Sequence, residues 1–170
     1  MREKARTIPE GTITSPRGFM AGATYAGLKT PGPGVLDVAL LYSQALCLAA
    51  GLFTSNRVKA APVLLCQRHL EGGRAQGIVV NSGCANACTG EQGLEDAHAM
   101  AALAAQKLGL AEGAMLVAST GVIGVNLPVA KIRAGLQAIS LSREGGHELA
   151  RAICTTDTFP KERAVRVELG

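Results

Sequence analysis

A chain of 170 residues that is 48% hydrophobic carries enough apolar surface for one domain, or for half of a larger one. A formal net charge of +4, from basic residues that are scattered rather than clustered, argues against a nucleic-acid surface. No stretch reaches the roughly 20 apolar residues of a membrane-spanning helix, and the polar N-terminal run MREKARTIPEGTITSP has no secretory h-region.

Aromatics are scarce, with no Trp, two Tyr and three Phe, so the core is built from Ala, Val, Leu and Ile. The 21 glycines predict tight turns and close backbone approaches, a composition suited to layered sheets and helices. Five cysteines, an odd number set mostly in apolar runs, predict reduced thiols and a cytoplasmic setting.

In chain order, residues 1–18 read as an extended arm on a single domain spanning 1–170. Phe19–Ala26 reads as a first strand, and Thr30-Pro31-Gly32-Pro33-Gly34 as a loop. Val35–Tyr42 and Ala45–Phe53 read as neighbouring strands of a hairpin linked by Ser43-Gln44. A helix begins near Pro62. Gly77–Asn81 is a short buried strand, followed by the uncharged loop NSGCANACTG.

Leu94, Ala97, Ala101, Ala104 and Leu108 recur at helical spacing, so Gln92–Leu108 is a helix ended by Gly109. Thr89 and Gln92 resemble a capping box at its start. Met115–Ala118 is a further strand that turns off through Ser119-Thr120-Gly121. Pro128 opens a helix with Val129, Ile132, Leu136 and Ile139 inward, and Glu144–Ile153 forms another. The last strand, Ala164–Leu169, alternates Val165, Val167 and Leu169 inward against Arg166 and Glu168. Strands followed by interleaved strands and helices make the class α/β.

Cys84 and Cys88 stand four apart with no second close pair to complete a zinc site, and they do not form a redox C-x-x-C. His69, His98 and His147 are isolated in sequence, and no metal site is expected. The NSGCANACTG loop reads first as an ordinary strand-to-helix turn, and second as an anion-accepting helix start. Backbone amides at Ser119-Thr120-Gly121 are candidates for stabilising an oxyanion, although that tripeptide alone is not specific. Three threonines and a carboxylate in Cys154-Thr155-Thr156-Asp157-Thr158 offer hydrogen bonds to a polar substrate. Phosphate-loop, dinucleotide, zinc-protease and nucleophile-elbow signatures are missing from the sequence.

Four segments in order carry a resemblance: Asn56-Arg57-Val58-Lys59-Ala60-Ala61-Pro62, the NSGCANACTG loop, Ser119-Thr120-Gly121-Val122-Ile123-Gly124, and Thr155-Thr156-Asp157-Thr158-Phe159-Pro160-Lys161. From about Ser15 to Gly170 the chain resembles the α chain of ornithine acetyltransferase, the bifunctional glutamate N-acetyltransferase of arginine biosynthesis. The resemblance implies a four-layer α-β-β-α sandwich completed by a β chain from the same self-cleaving precursor, in an α2β2 assembly. It implies ping-pong acetyl transfer from N-acetylornithine to glutamate through the N-terminal threonine of the β chain. No cofactor is implied, although some members take acetyl-CoA as co-substrate.

Carried onto this sequence, Thr120 and Gly121 are the oxyanion hole, and Thr156, with Thr155 second, is the substrate contact. Arg57 and Lys59 are as readily structural cations as substrate-attracting ones. Two departures stand out. Cys84 replaces an asparagine common in the family, and the residues end at Gly170, before the family's substrate lysine and cleavage site. The nucleophile is therefore expected on another chain. The alternatives are a related self-cleaving aminopeptidase that passes the acyl group to water, and a non-catalytic module.

Overall fold

The computed structural model describes residues 5–168. Ten regular elements follow in order: β1 (Ala5–Ile8), β2 (Phe19–Thr24), β3 (Val38–Leu48), α1 (Ala61–His69), β4 (Arg74–Cys84), α2 (Gly90–Leu108), β5 (Met115–Val122), α3 (Val129–Ala138), α4 (Gly146–Ile153) and β6 (Ala164–Val167). The fold is mixed α/β. The main sheet has strand order β2-β3-β4-β5, and a separate two-stranded ribbon pairs β1 with β6. Adjacent strands are antiparallel except β4 and β5, which are parallel. A parallel pair needs a crossover, and the 19-residue helix α2 supplies it.

Alternation along the central strands decides which helix packs where. Val38 and Leu40 of β3, with Val79 of β4 and Met115 and Val117 of β5, face one side. There they meet Leu65 of α1, Met100, Ala101 and Ala104 of α2, and Ile132 and Leu136 of α3. The intervening residues Ala39, Leu41 and Val80 face the other side and meet Leu149 and Ala152 of α4. Helices thus cover both faces of the one four-stranded sheet. Small residues let the layers approach: a Cβ on Gly77 would stand 2.6 Å from the Met115 sulfur.

The expected hairpin does not form. β3 is a single strand of 11 residues, and its register against β4 shifts between Tyr42 and Cys47. Ser43 still pairs with Phe19, and the Gln44 amide donates to the Gly18 carbonyl at 2.8 Å, so Ser43-Gln44 continues the ladder instead of turning. The extra residues are absorbed by a bulge. After it, Cys47 and Leu48 pair with Ala75 and Arg74 on β4, lengthening that strand well beyond Gly77–Asn81. Residues 49–58 have no regular structure.

The helix signals fare better. α1 starts beside Pro62 and α2 ends at Gly109, whose φ of 67° is the left-handed cap that glycine permits. The capping box at α2 is not made. The Thr89 hydroxyl donates to Asn86 Oδ1 at 2.8 Å, and the Gln92 amide reaches forward to Asp96 Oδ1 at 3.0 Å. β6 also departs from expectation. Val165 and Val167 are about half exposed, because among the described residues their strand pairs with β1 alone and no helix or second sheet covers them. Leu169 lies outside the described residues. No helix among the described residues is long and apolar enough to cross a membrane.

Candidate active site

The parallel strands β4 and β5 end side by side, with Ser82 opposite Thr120, Gly83 opposite Gly121 and Cys84 opposite Val122. Both glycines have dihedrals that L side chains avoid, with φ of 109° at Gly83 and 130° at Gly121. They also leave no room for a side chain. A Cβ on Gly121 would lie 2.3 Å from the Gly83 carbonyl carbon, and one on Gly83 would lie 2.8 Å from the Leu28 carbonyl oxygen. Three backbone segments therefore meet through bare main chain. Directly before this seam, ladder partners Asn81 and Ser119 carry the buried side-chain oxygens that lack a partner among the described residues.

The seam opens on a cleft of about 1140 Å³. Thr120 and Gly121 lie on one side, and the loop after α4, with Thr155, Thr156 and Thr158, lies on another. All four residues singled out in sequence line this one cleft. The end of α4 and the threonine loop that follows it are each tied back at one point. The buried Ser82 hydroxyl donates to the Ala152 carbonyl, and the Lys29 ammonium donates to the Cys154 carbonyl at 3.0 Å. Within the loop, Asp157 accepts from the Thr155 amide at 3.3 Å and pairs with Lys161. The Lys161 partner holds the Asp157 carboxyl below the usual carboxylate range.

Two cations that sequence reasoning did not single out also line the cleft, Lys29 and Arg151. Arg151 donates to the Gly34 carbonyl at 2.6 Å. Burial pushes the Lys29 ammonium below its usual pKa, against the opposing pull of Asp37 and Cys154. Asp37 is wholly buried and accepts from the amides of Ala26, Leu28 and Lys29 at 2.6, 2.7 and 3.2 Å. It thereby fixes the loop that carries Lys29. Arg57 and Lys59 do not line this cleft; Lys59 instead donates to Gln67 Oε1 at 3.4 Å.

The NSGCANACTG stretch is divided by the structure. Asn81 to Cys84 complete β4, and of the ten residues only Gly83 lines the cleft. The remainder is a turn built on Asn86, buried at a φ of 47°. Its amide donates to the Gly93 carbonyl at 2.8 Å and its carbonyl accepts from Ala61 at 3.2 Å, tying the starts of α2 and α1 together. All five cysteines are free; Cys84 donates to the Val125 carbonyl at 3.2 Å, and Cys88 is exposed.

The chain is similar in sequence and in fold to known proteins. Arginine biosynthesis bifunctional protein ArgJ of Symbiobacterium thermophilum is 54% identical over 162 residues, covering 94% of this chain and 40% of its own length. Its counterpart in Dehalococcoides mccartyi is 49% identical over 169 residues, covering 99% of this chain and 42% of its own. The chain thus spans about two-fifths of the length of these curated relatives. The crystal structure of ArgJ from Bacillus halodurans superimposes with a TM-score of 0.86 at 34% identity, over 99% of this chain and 95% of that one. Ornithine acetyltransferase of Mycobacterium tuberculosis, solved with ornithine, gives a TM-score of 0.84 at 39% identity, over 95% of this chain and 88% of that one. With the ArgJ family model matching residues 20–170, which include the whole cleft, the chain belongs to the ArgJ family.

Proposed function

We propose that this chain is the α part of an acetyltransferase that moves acetyl from N-acetylornithine to glutamate in arginine biosynthesis. The observation that carries the reading is the glycine seam at Gly83 and Gly121 opening on the same cleft as Thr155 and Thr156. The acetyl carbonyl lies at the seam, where Thr120 and Gly121 stabilise the oxyanion. Preorganised donors of this kind contribute about 3–4 kcal/mol each in a water-poor site. Thr156, with Thr155, hydrogen-bonds the substrate. Lys29 and Arg151 give the cleft a positive field for amino-acid carboxylates.

The nucleophile is the N-terminal threonine of a β chain cut from the same precursor. Its hydroxyl attacks the acetyl carbonyl and its own α-amine takes the proton. Ornithine leaves as the amine, and glutamate then accepts acetyl from the threonine ester, which makes the kinetics ping-pong. Val122, Ile123 and Val125, exposed just past the seam, supply an apolar surface suited to that partner. The completed molecule is the four-layer α-β-β-α sandwich in an α2β2 assembly in the cytoplasm. It needs no cofactor, and acetyl-CoA is an additional acetyl donor.

The test supplies the complete protein with N-acetylornithine and glutamate. Acetylglutamate formed at the expense of acetylornithine is the expected product. Release of free acetate alone transfers the assignment to a hydrolase of the aminopeptidase kind. Native mass spectrometry that finds no second chain beginning with threonine removes the catalytic reading altogether. In the same assay Thr120→Ala is expected to lower kcat by about 10²-fold with KM little changed. An unaltered kcat would deny its hydroxyl any part in the chemistry.

A further inference from the structure

His69 and His98, isolated in sequence, come together in space, and Glu112 joins them. His69 is the last residue of α1, His98 lies in the middle of α2, and Glu112 opens a short 3₁₀ turn, Glu112–Ala114, that leads into β5. One nitrogen from each ring and one carboxylate oxygen lie within 4.8 Å of one another. We propose that these three side chains form a binding site for a divalent transition-metal ion, with zinc as the natural occupant.

Three features support a site rather than a chance cluster. His69 Nδ1 lies 2.6 Å from the Met115 carbonyl, so a neutral ring places its proton there and leaves the Nε2 lone pair for a metal. Such a carbonyl partner is the usual outer support of a metal-binding histidine. The two rings are already close, with centroids 6.1 Å apart and planes 67° from parallel, so neither must cross the other to converge. Finally, the donor set is two imidazoles and one carboxylate, which suits zinc with a water completing four-coordination.

The ligand atoms have some distance to close. Tetrahedral zinc at about 2.0–2.1 Å from each ligand places donors about 3.3 Å apart. His98 and Glu112 can supply that movement, being 42% and 39% exposed, and they now share a hydrogen bond of 2.7 Å that the ion would replace. The remaining histidine, His147, pairs with Glu162 at 2.8 Å and takes no part. The site sits at the opposite end of β5 from the cleft. Met115 precedes Thr120 by five positions, which is about 16 Å along a strand. The ion would therefore fasten α1, α2 and the start of β5 together, and it has no role in acyl transfer.

The test titrates zinc chloride into the complete protein after chelator treatment, following heat of binding and the thermal midpoint. The expected result is one ion per copy of this chain, with a midpoint that rises as zinc is added. His98→Gln and Glu112→Gln should each weaken uptake at least tenfold, while Cys88→Ser leaves it unchanged. Both substituted side chains are half-exposed, so metal-free midpoints should match the parent. If either variant fails to fold, cobalt(II) bound to the parent protein decides the matter. Visible d–d bands without a thiolate charge-transfer band support nitrogen and oxygen ligands, whereas a thiolate band overturns the assignment. Absence of stoichiometric uptake, or uptake kept in His98→Gln but lost in Cys88→Ser, also overturns it.

Discussion

Gly121→Ala is expected to lower turnover of the complete protein by about 10³-fold or more while leaving its helix and strand content intact. The added methyl would stand 2.3 Å from the Gly83 carbonyl carbon and 2.7 Å from the Cys84 nitrogen. Both are main-chain atoms and cannot swing aside as a side chain does. The φ of 130° at position 121 adds backbone strain of about 1–3 kcal/mol for any residue with a Cβ. The strands must part, and the donors move with them. A shift near 1 Å at a reacting centre costs about 10² in rate, and loss of a donor costs about 10²–10³ more. The effect should exceed that of Thr120→Ala, which removes a hydroxyl and leaves the main chain in place. Steady-state kinetics beside circular dichroism checks this. A Gly121→Ala protein within a few-fold of the parent rate would show that the seam does not hold the reacting carbonyl.

Asp37→Ala should be the most destabilising single change near the cleft, by about 3–5 kcal/mol in denaturant unfolding. Asp37 is fully buried and accepts three amides from the segment Ala26–Lys29. Removing it strands those donors, each at about 1–3 kcal/mol before relaxation. Domains of this size are stable by only about 5–15 kcal/mol, so most of the margin is at risk. Asp37→Asn keeps the shape and one acceptor oxygen and should cost clearly less. If alanine proved harmless in urea titration, the segment would have to be held by something other than this carboxylate.

Both predictions concern features the sequence discloses unevenly. The helices were legible because Leu94, Ala97, Ala101 and Ala104 keep a period that only a helix serves, and because Gly109 supplies a left-handed stop. The hairpin signal misleads because Ser43-Gln44 has the polarity of a turn, while Ser43 pairs with Phe19 of β2 and the Gln44 amide donates to the Gly18 carbonyl just before it. Polarity is local and strand pairing is not. Likewise β6 alternates like a half-buried strand, yet only its pairing with β1 decides that Val165 and Val167 stay exposed.

For the site, the small-residue turn at Ser119-Thr120-Gly121 and the hydroxyl-rich run at Thr155-Thr156 were visible as separate segments. The roles expected of them rest on the ordered resemblance, not on residue chemistry. What no spacing revealed is that α4 returns the second segment to the end of β4 through Ser82. Lys29 and Arg151 are illegible in the sequence for a similar reason. They stand 122 positions apart, neither sits in a recognisable motif, and tertiary packing alone brings both to the cleft. Asp37 stands between apolar residues in the sequence, and its purpose depends on a loop that folds over it.

The glycine seam also divides what selection can adjust from what it cannot. Atoms contributed by peptide units are the same whatever residues flank them, so no substitution can retune their acidity or reach. The hydroxyl-bearing run after α4 hangs on side chains and is open to exchange. Redesign of what the cleft accepts should therefore begin at Thr155 and Thr156 and leave positions 83 and 121 alone.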